Sequence, residues 1–403
     1  MPIYLDHAAT SPMPPDVIAA YASALAVVGN PASIHSQGQN AKRMLEEARE
    51  RVADSVGADS VEVTFTGGGT EAVNLGIKGL WWARNASTGP STGSETALPR
   101  PRILVPHGEH HATVDAVEWL EKHEGAVVEW IRIDEFGRVD LAALEAALDD
   151  DVALVTVLSA NNEVGTLQPV AEIAALAAAH GVPVHVDAIA GYGYVPIDFH
   201  ALRVAALSIS AHKIGGPVGI GALVIARSAT VVPLLHGGNQ QRARSGTQDV
   251  AGAVAFGLAA SQATAGLEEH ATRLRSLRDR LVAGVREAVP SAVLRGDPTV
   301  EGRLPGNAHF TFPGCEGDSL LFLLDVAGFS VSTGSACQAG VPEASHVLTG
   351  MGLSEADARG ALRMTLGTHT TEAEIDALVE ALPAAVARAS RAGLAEKQPT
   401  FGR

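Results

Sequence analysis

Ser208-Ile209-Ser210-Ala211-His212-Lys213-Ile214-Gly215-Gly216 is the stretch on which the reading of this chain turns. The run from Val204 to Ile209 is apolar and strand-like. It ends in a hydroxyl, an imidazole and an amine, and a glycine turn follows in which no side chain crowds a ligand. Twenty-six residues earlier a second apolar run, Val182 to Val186, ends in Asp187. An acid and an amine at the ends of two strands of one sheet lie where open α/β sheets bind their ligands.

Composition narrows the rest. The chain has 403 residues, 46% of them hydrophobic and 18% charged, which fits a compact globular protein with room for two domains and excludes disorder throughout. A formal charge of -16 argues against direct binding of a nucleic-acid backbone, which needs clustered lysine and arginine. The start, Met1 to His7, lacks the basic and apolar regions of a signal peptide, and no apolar run reaches the roughly 18 residues of a membrane span. Two cysteines, Cys315 and Cys337, make neither a disulfide framework nor a zinc quartet. The expectation is a cytoplasmic protein with no membrane partner.

Lys213 and Asp187 together suit pyridoxal phosphate, which needs a lysine for its aldehyde, a carboxylate for its pyridine nitrogen and donors for its phosphate. Ser210 and His212 stand where such donors are required. The same residues also fit a solvated loop lysine and a helix-capping aspartate, and the motif alone does not choose.

The remaining segments alternate between strand and helix. Asn40 to Val56 reads as a polar-faced helix and Val61 to Thr66 as a strand. Gly67-Gly68-Gly69-Thr70 follows, with Thr70 the expected N-cap of a helix carrying Val73, Ile77, Leu80 and Trp81. Strand, glycine turn and helix start together offer free N–H groups to one phosphate; no Walker lysine follows. Residues 85–102 are rich in Ser, Thr, Gly and Pro and read as an exposed loop. Ile103 to Val105 leads to His107, Glu109, His110 and His111, whose spacing is not that of a helical zinc motif; an imidazole stacked on an aromatic cofactor is an equally simple use. Strand Val127 to Ile131, helix Leu141 to Leu148, strand Ala153 to Leu158 and helix Ala171 to His180 then predict a mostly parallel sheet covered on both faces. His236 to Thr247 reads as a glycine-rich loop reaching for an anion or another subunit.

A long helix from about Gly266 to Val289 marks a change of architecture, and a smaller α+β domain closes with the capping box Thr371-x-x-Glu374. The expected division gives residues 15–258 to a large domain, 1–14 and 259–390 to a small one, and 391–403 to a frayed tail. Cys315 reads as a small buried hydrophobe. Cys337, in Ser332-Thr333-Gly334-Ser335-Ala336-Cys337-Gln338, has no apolar neighbours large enough to bury it, and such a loop permits access to its thiol.

Taken together, Tyr4-Leu5-Asp6-His7-Ala8-Ala9-Thr10, Gly29 to Ser33, Asn161-Asn162-Glu163-Val164-Gly165, Ser210 to Lys213, Arg244-Ser245-Gly246-Thr247 and Ser335-Ala336-Cys337 resemble the cysteine desulfurases of the NifS and IscS type. These are aminotransferase-like enzymes that use pyridoxal phosphate. The resemblance, which runs to about Ala381, implies a fold-type I α/β transferase whose large domain carries a mostly parallel seven-stranded sheet, assembled as a homodimer. It implies that Lys213 binds the cofactor's aldehyde and Asp187 its pyridine nitrogen. Gly69, Thr70, Ser210 and His212 would hold the phosphate with Thr247 of the second subunit, His110 would stack on the ring and assist proton transfer, and Asn162 would touch cofactor or substrate. Arg363 would clamp the substrate carboxylate. The implied reaction takes sulfur from L-cysteine, leaving L-alanine and a persulfide on Cys337 for an acceptor protein, an iron–sulfur scaffold or a tRNA-thiolating enzyme.

Some positions depart from that pattern. Ala190 stands where family members have a glutamine that donates to the cofactor's phenolic oxygen, Ala72 and Val73 replace a polar pair, and Asn239 and Gln241 alter a Gly-Gly-Gly-Gln-Glu run. These changes leave room for a relative that acts as a selenocysteine lyase or another β-eliminating enzyme.

Overall fold

The computed structural model describes residues 2–86, 98–334 and 344–395. Most of the expected 85–102 loop and Cys337 itself lie outside the described residues. In chain order the strands are β1 (Ile3–Tyr4), β2 (Val63–Thr66), β3 (Arg102–Pro106), β4 (Val127–Ile131), β5 (Val152–Leu158), β6 (Val184–Asp187), β7 (Ala206–Ser210), β8 (Gly221–Ile225), β9 (Val293–Arg295), β10 (Asn307–Thr311), β11 (Phe329–Ser330) and β12 (Ala361–Thr365).

Seven of them make one sheet in the order β2-β8-β7-β6-β5-β3-β4, in which β8 alone runs against the others. This is the mostly parallel sheet that the alternating pattern predicts. Strands β5, β6, β7 and β8 are buried along their whole length because helices cover both faces. On one face Leu45, Val52, Val155, Val186, Leu207 and Phe256 share a core. On the other, Ile77, Leu80, Trp81, Ile103, Val117 and Leu223 pack beneath the helices Gly69–Asn85 and His111–Glu124. The register sets Leu158 beside Asp187 and Asp187 beside Ser208, so the polar residues that end β6 and β7 and those that follow β5 gather at one edge.

A second, antiparallel sheet runs β12-β10-β9, and β1 pairs with β11. Leu274, Leu281 and Val285 of the helix Leu267–Ala288 form a separate core with Phe310, Leu324, Met364 and Leu378, and Leu5 of the entry segment joins it. Cys315 is buried there, as a small hydrophobe would be.

Four expectations shift. The helix Ser36–Asp54 starts earlier than the pattern indicated, with His35 Nδ1 accepting from Gly38 N at 3.2 Å. Helix Val250–Thr264 is nearly apolar all round, so it carries no periodic signal, and its Ala253, Phe256 and Ala260 sit in the large-sheet core. Residue 258, where the expected division falls, lies within this helix. The last helix, Glu372–Ala395, runs past Arg391 where fraying was expected, and its capping box is formed, Glu374 N donating to Thr371 Oγ1 at 3.3 Å. The N-cap of Gly69–Asn85 is Gly68, and Thr70 is its second residue. Gly68 has φ 146°, which a residue with a Cβ avoids, and the helix begins two residues earlier than a Thr70 cap would set it. Among the described residues no single helix is long and apolar enough to cross a membrane.

Candidate active site

The polar strand ends open into a cavity of about 230 Å³ lined by Gly69, Thr70, His110, Asn162, Asp187, Ala190, Ser210, His212 and Lys213. Eight of the eleven residues singled out from sequence are therefore brought together by the fold. Of the others, Arg363 adjoins Lys213, Thr247 is exposed and does not line this cavity, and Cys337 is outside the described residues.

One end of the cavity is an anion cradle. The first N–H groups of Gly69–Asn85 have no intrahelical acceptors, and the helix dipole adds positive potential there. A Cβ at Gly69 would displace the end of the Ile189 side chain and crowd Ser210 Cβ at 3.2 Å, so glycine keeps the backbone close to this end of the cavity. Ser210 Oγ is fully buried and has no hydrogen-bond partner among the described residues. A hydroxyl left in that state next to free N–H groups suits a ligand oxygen.

Deeper in, Asp187 is buried at the end of β6, with Oδ1 accepting from Ile189 N at 3.0 Å. Burial pushes its carboxyl up to about 6, against the pull of the backbone N–H and of Lys213. Glu109 is buried beside it, its carboxyl raised well above the usual range by burial, and it accepts from Leu158 N at 2.9 Å. Burial, followed by the charge of Lys213, lowers His110 to about 4. His110 Nδ1 accepts from Ala112 N at 3.0 Å as the cap of the helix His111–Glu124, which leaves the proton of the neutral ring on Nε2. His107 instead stacks on Trp130 at 5.6 Å, so the three histidines serve different ends.

Lys213 lies on the turn Ala211–Ile214 directly after β7. Burial and then the nearby charge of Arg363 bring its amine down to about 8, with Asp187 and Asp6 opposing. Its Nζ donates to Ala8 O and, at 3.0 Å, to Ala9 O. The entry segment thus folds over the lysine and is tied down by Ser11 Oγ, which donates to Lys213 O at 2.8 Å. Asn162 is held by its neighbour: Asn161 Oδ1 accepts from Glu163 N and Val164 N at 2.9 Å each, making a tight turn after β5. Arg363, on β12, donates through Nη1 to Asn162 O and through Nη2 to Asp6 Oδ1, both at 2.8 Å.

Sequence reasoning gave no role to Asp6, Glu109 or Tyr194. Tyr194 lines a small adjoining cavity with Lys213 and Ala190, and its hydroxyl lies 3.2 Å from Ser11 Oγ. Asp6 stands inside the quoted Tyr4 to Thr10 motif, yet no spacing rule links it to an arginine near the other end of the chain.

A family model described as aminotransferase class-V matches residues 3–378. The chain belongs to the class-V aminotransferase family. It is 52% identical to an "IscS-like cysteine desulfurase" of Mycobacterium tuberculosis, over 97% of this chain and 98% of that one. It is 39% identical to the "Cysteine desulfurase IscS" of Methanosarcina thermophila, over 94% and 91%. A solved "NIFS-LIKE PROTEIN" superposes with a TM-score of 0.86 at 32% identity, covering 96% of this chain and all of that one.

Three of the unusual positions in this chain have local explanations. Ala72 and Val73 are fully buried in the core under the sheet, where polar side chains would lack partners. Gln241 clasps the free edge of β2, accepting from Phe65 N at 3.1 Å and donating to Phe65 O at 2.7 Å. It does for β2 what a neighbouring strand would do.

Proposed function

We propose that the protein is a pyridoxal-phosphate-dependent cysteine desulfurase that moves sulfur from L-cysteine to Cys337. The observation that carries this reading is the convergence on one cavity of an amine near pH 8, a buried carboxylate and an anion cradle, with Arg363 alongside. The relatives named cysteine desulfurase support it. Pyridoxal phosphate bound there supplies an electron sink for chemistry at the α-carbon of an amino acid.

Each residue then has a task. Gly69, Thr70, Ser210 and His212 hold the phosphate, joined by Thr247 of the partner subunit in a homodimer. Asp187 would pair with the pyridine nitrogen and keep it protonated, and His110, whose Nε2–H is available as a donor, would border the ring. Lys213 would hold the cofactor's aldehyde, and its Nζ, as the free amine, would take the α-proton of the substrate. Arg363 holds the substrate carboxylate and Asn162 contacts cofactor or substrate. The Cys337 thiolate attacks the substrate sulfur: the Cβ–S bond breaks, an S–S bond forms, and the carbon takes a proton to leave L-alanine. The persulfide passes to an acceptor protein that builds iron–sulfur clusters or thiolates tRNA, in the cytoplasm. We place the domain division between the helices Val250–Thr264 and Leu267–Ala288, with the entry segment in the small domain.

The test is production of alanine and sulfide from L-cysteine with a thiol reductant, alongside the visible spectrum. Equal yields from a yellow protein, lost in Cys337→Ala while the colour stays, are expected. Full activity in Cys337→Ala would refute the sulfur relay, and pyruvate in place of alanine would turn the reading to β-elimination.

A further inference from the structure

Arg295, His309 and Arg363 stand in a row on three adjacent strands. His309 on β10 is paired in register with Arg295 of β9 on one side and Arg363 of β12 on the other, so the three side chains rise from the same face of the small sheet. His309 is fully buried. Burial, and after it the charges of Arg363, Arg303 and Arg295, keep its ring neutral by lowering it to about 3. One ring nitrogen therefore carries a lone pair at neutral pH. Among the described residues neither ring nitrogen has a hydrogen-bond partner, and Nε of the buried Arg363 has none either. An unmatched acceptor thus stands in the register position opposite an unmatched donor. Gly334, with φ 88°, lies over the ring: a Cβ there would come within 3.3 Å of His309 Nε2.

We propose that His309 is a positioning residue for Arg363, taking its Nε–H as the guanidinium turns from Asp6 toward the carboxylate of the amino-acid substrate. The inference rests on the reading that Arg363 binds that carboxylate. With Nη1 and Nη2 committed to Asn162 O and Asp6 Oδ1, reorientation of the fork needs a contact that stays in place, and Nε is the group still free to make it. A neutral acceptor suits the task. An acid at residue 309 would pair with the guanidinium and compete with the substrate, whereas imidazole fixes the plane of the fork and leaves its charge for the ligand.

The experiment compares His309→Leu, His309→Gln and Arg363→Ala as full-length, cofactor-loaded proteins. Loss of one hydrogen bond to a charged group predicts about a tenfold rise in KM for L-cysteine in His309→Leu with kcat little changed. His309→Gln, whose side-chain carbonyl also accepts, should recover most of the loss. If Arg363→Ala raises KM but His309→Leu does not, the positioning role is overturned and the carboxylate reading stands. If Arg363→Ala leaves KM unchanged, the carboxylate reading falls and the proposal with it. A second measurement is independent of any His309 variant folding. In wild-type protein labelled with 15N-arginine, the Arg363 Nε–H signal, assigned by its loss in Arg363→Lys, should move downfield and exchange slowly when L-alanine is added. An unchanged signal at saturating L-alanine overturns the proposal.

Discussion

Arg363 Nη2 and Asp6 Oδ1 meet at 2.8 Å across 357 residues of chain, and this ion pair locks the entry segment against the small sheet beside Lys213. Only 6% of the arginine side chain is exposed, so the pair is shielded from water and its loss is felt. Asp6→Asn keeps the shape but removes the charge. It should destabilise the protein by about 1–3 kcal/mol, seen as a lower melting temperature. It should also lower KM for L-cysteine, because the guanidinium no longer has a competing carboxylate. An unaltered melting temperature would show that the pair contributes nothing to the fold.

The amine of Lys213 sits near 8 because burial and Arg363 disfavour its charged form. Only the free amine attacks an aldehyde, so the rate at which the cofactor-free protein takes up pyridoxal phosphate should rise with pH and level off above about 8. Arg363→Ala removes a neighbouring positive charge and should move that midpoint upward. Stopped-flow absorbance reads both, and a midpoint near that of free lysine would contradict the assignment.

Asp187 is raised from 3.8 to about 6, so the folded state holds its proton more tightly than the unfolded chain does. Its contribution to stability is fully present below pH 3.8 and is lost as the pH rises through 6. At pH 7 the ionised, buried carboxylate costs on the order of 3 kcal/mol. Asp187→Asn should therefore raise the melting temperature of the cofactor-free protein at pH 7 and leave it nearly unchanged at pH 4. The same variant should bind pyridoxal phosphate more weakly. A stabilising substitution that impairs function is expected where a site holds a charge for its ligand.

Ala190 lines both the main cavity and the small one beside Tyr194. Ala190→Gln should place an amide donor in the main cavity and tighten cofactor binding by about 0.5–1.5 kcal/mol, the usual net worth of one hydrogen bond. Equilibrium dialysis measures the affinity, and a shift of the visible band would report the new contact. Weaker binding would mean that the neighbours have already closed the space.

Much of this was legible in the chain itself. The runs that end in Asp187 and Ser210 are mostly apolar because both faces of their strands are covered, and burial on two faces is what a parallel sheet imposes. Ser210 ends β7 and Lys213 lies on the turn that follows, and Gly69 and Thr70 follow β2 after a short turn, so local order placed them at strand ends. Where the reading slipped, the local signal was weak or ambiguous. Thr70 is a good cap by composition, but the freedom of Gly68 let the helix begin earlier. Helix Val250–Thr264 is apolar on every side, so no period separates it from a loop or a strand.

Sequence alone therefore determined the strand–helix alternation, the cradle and the lysine, because each depends on residues close together in the chain. Tertiary structure alone decided the contacts of the entry segment with Lys213, the pairing of Asp6 with Arg363 and the row Arg295, His309 and Arg363. Those depend on sheet register and on which buried charges are forced to share a space, and neither leaves a mark in the spacing of residues along the chain.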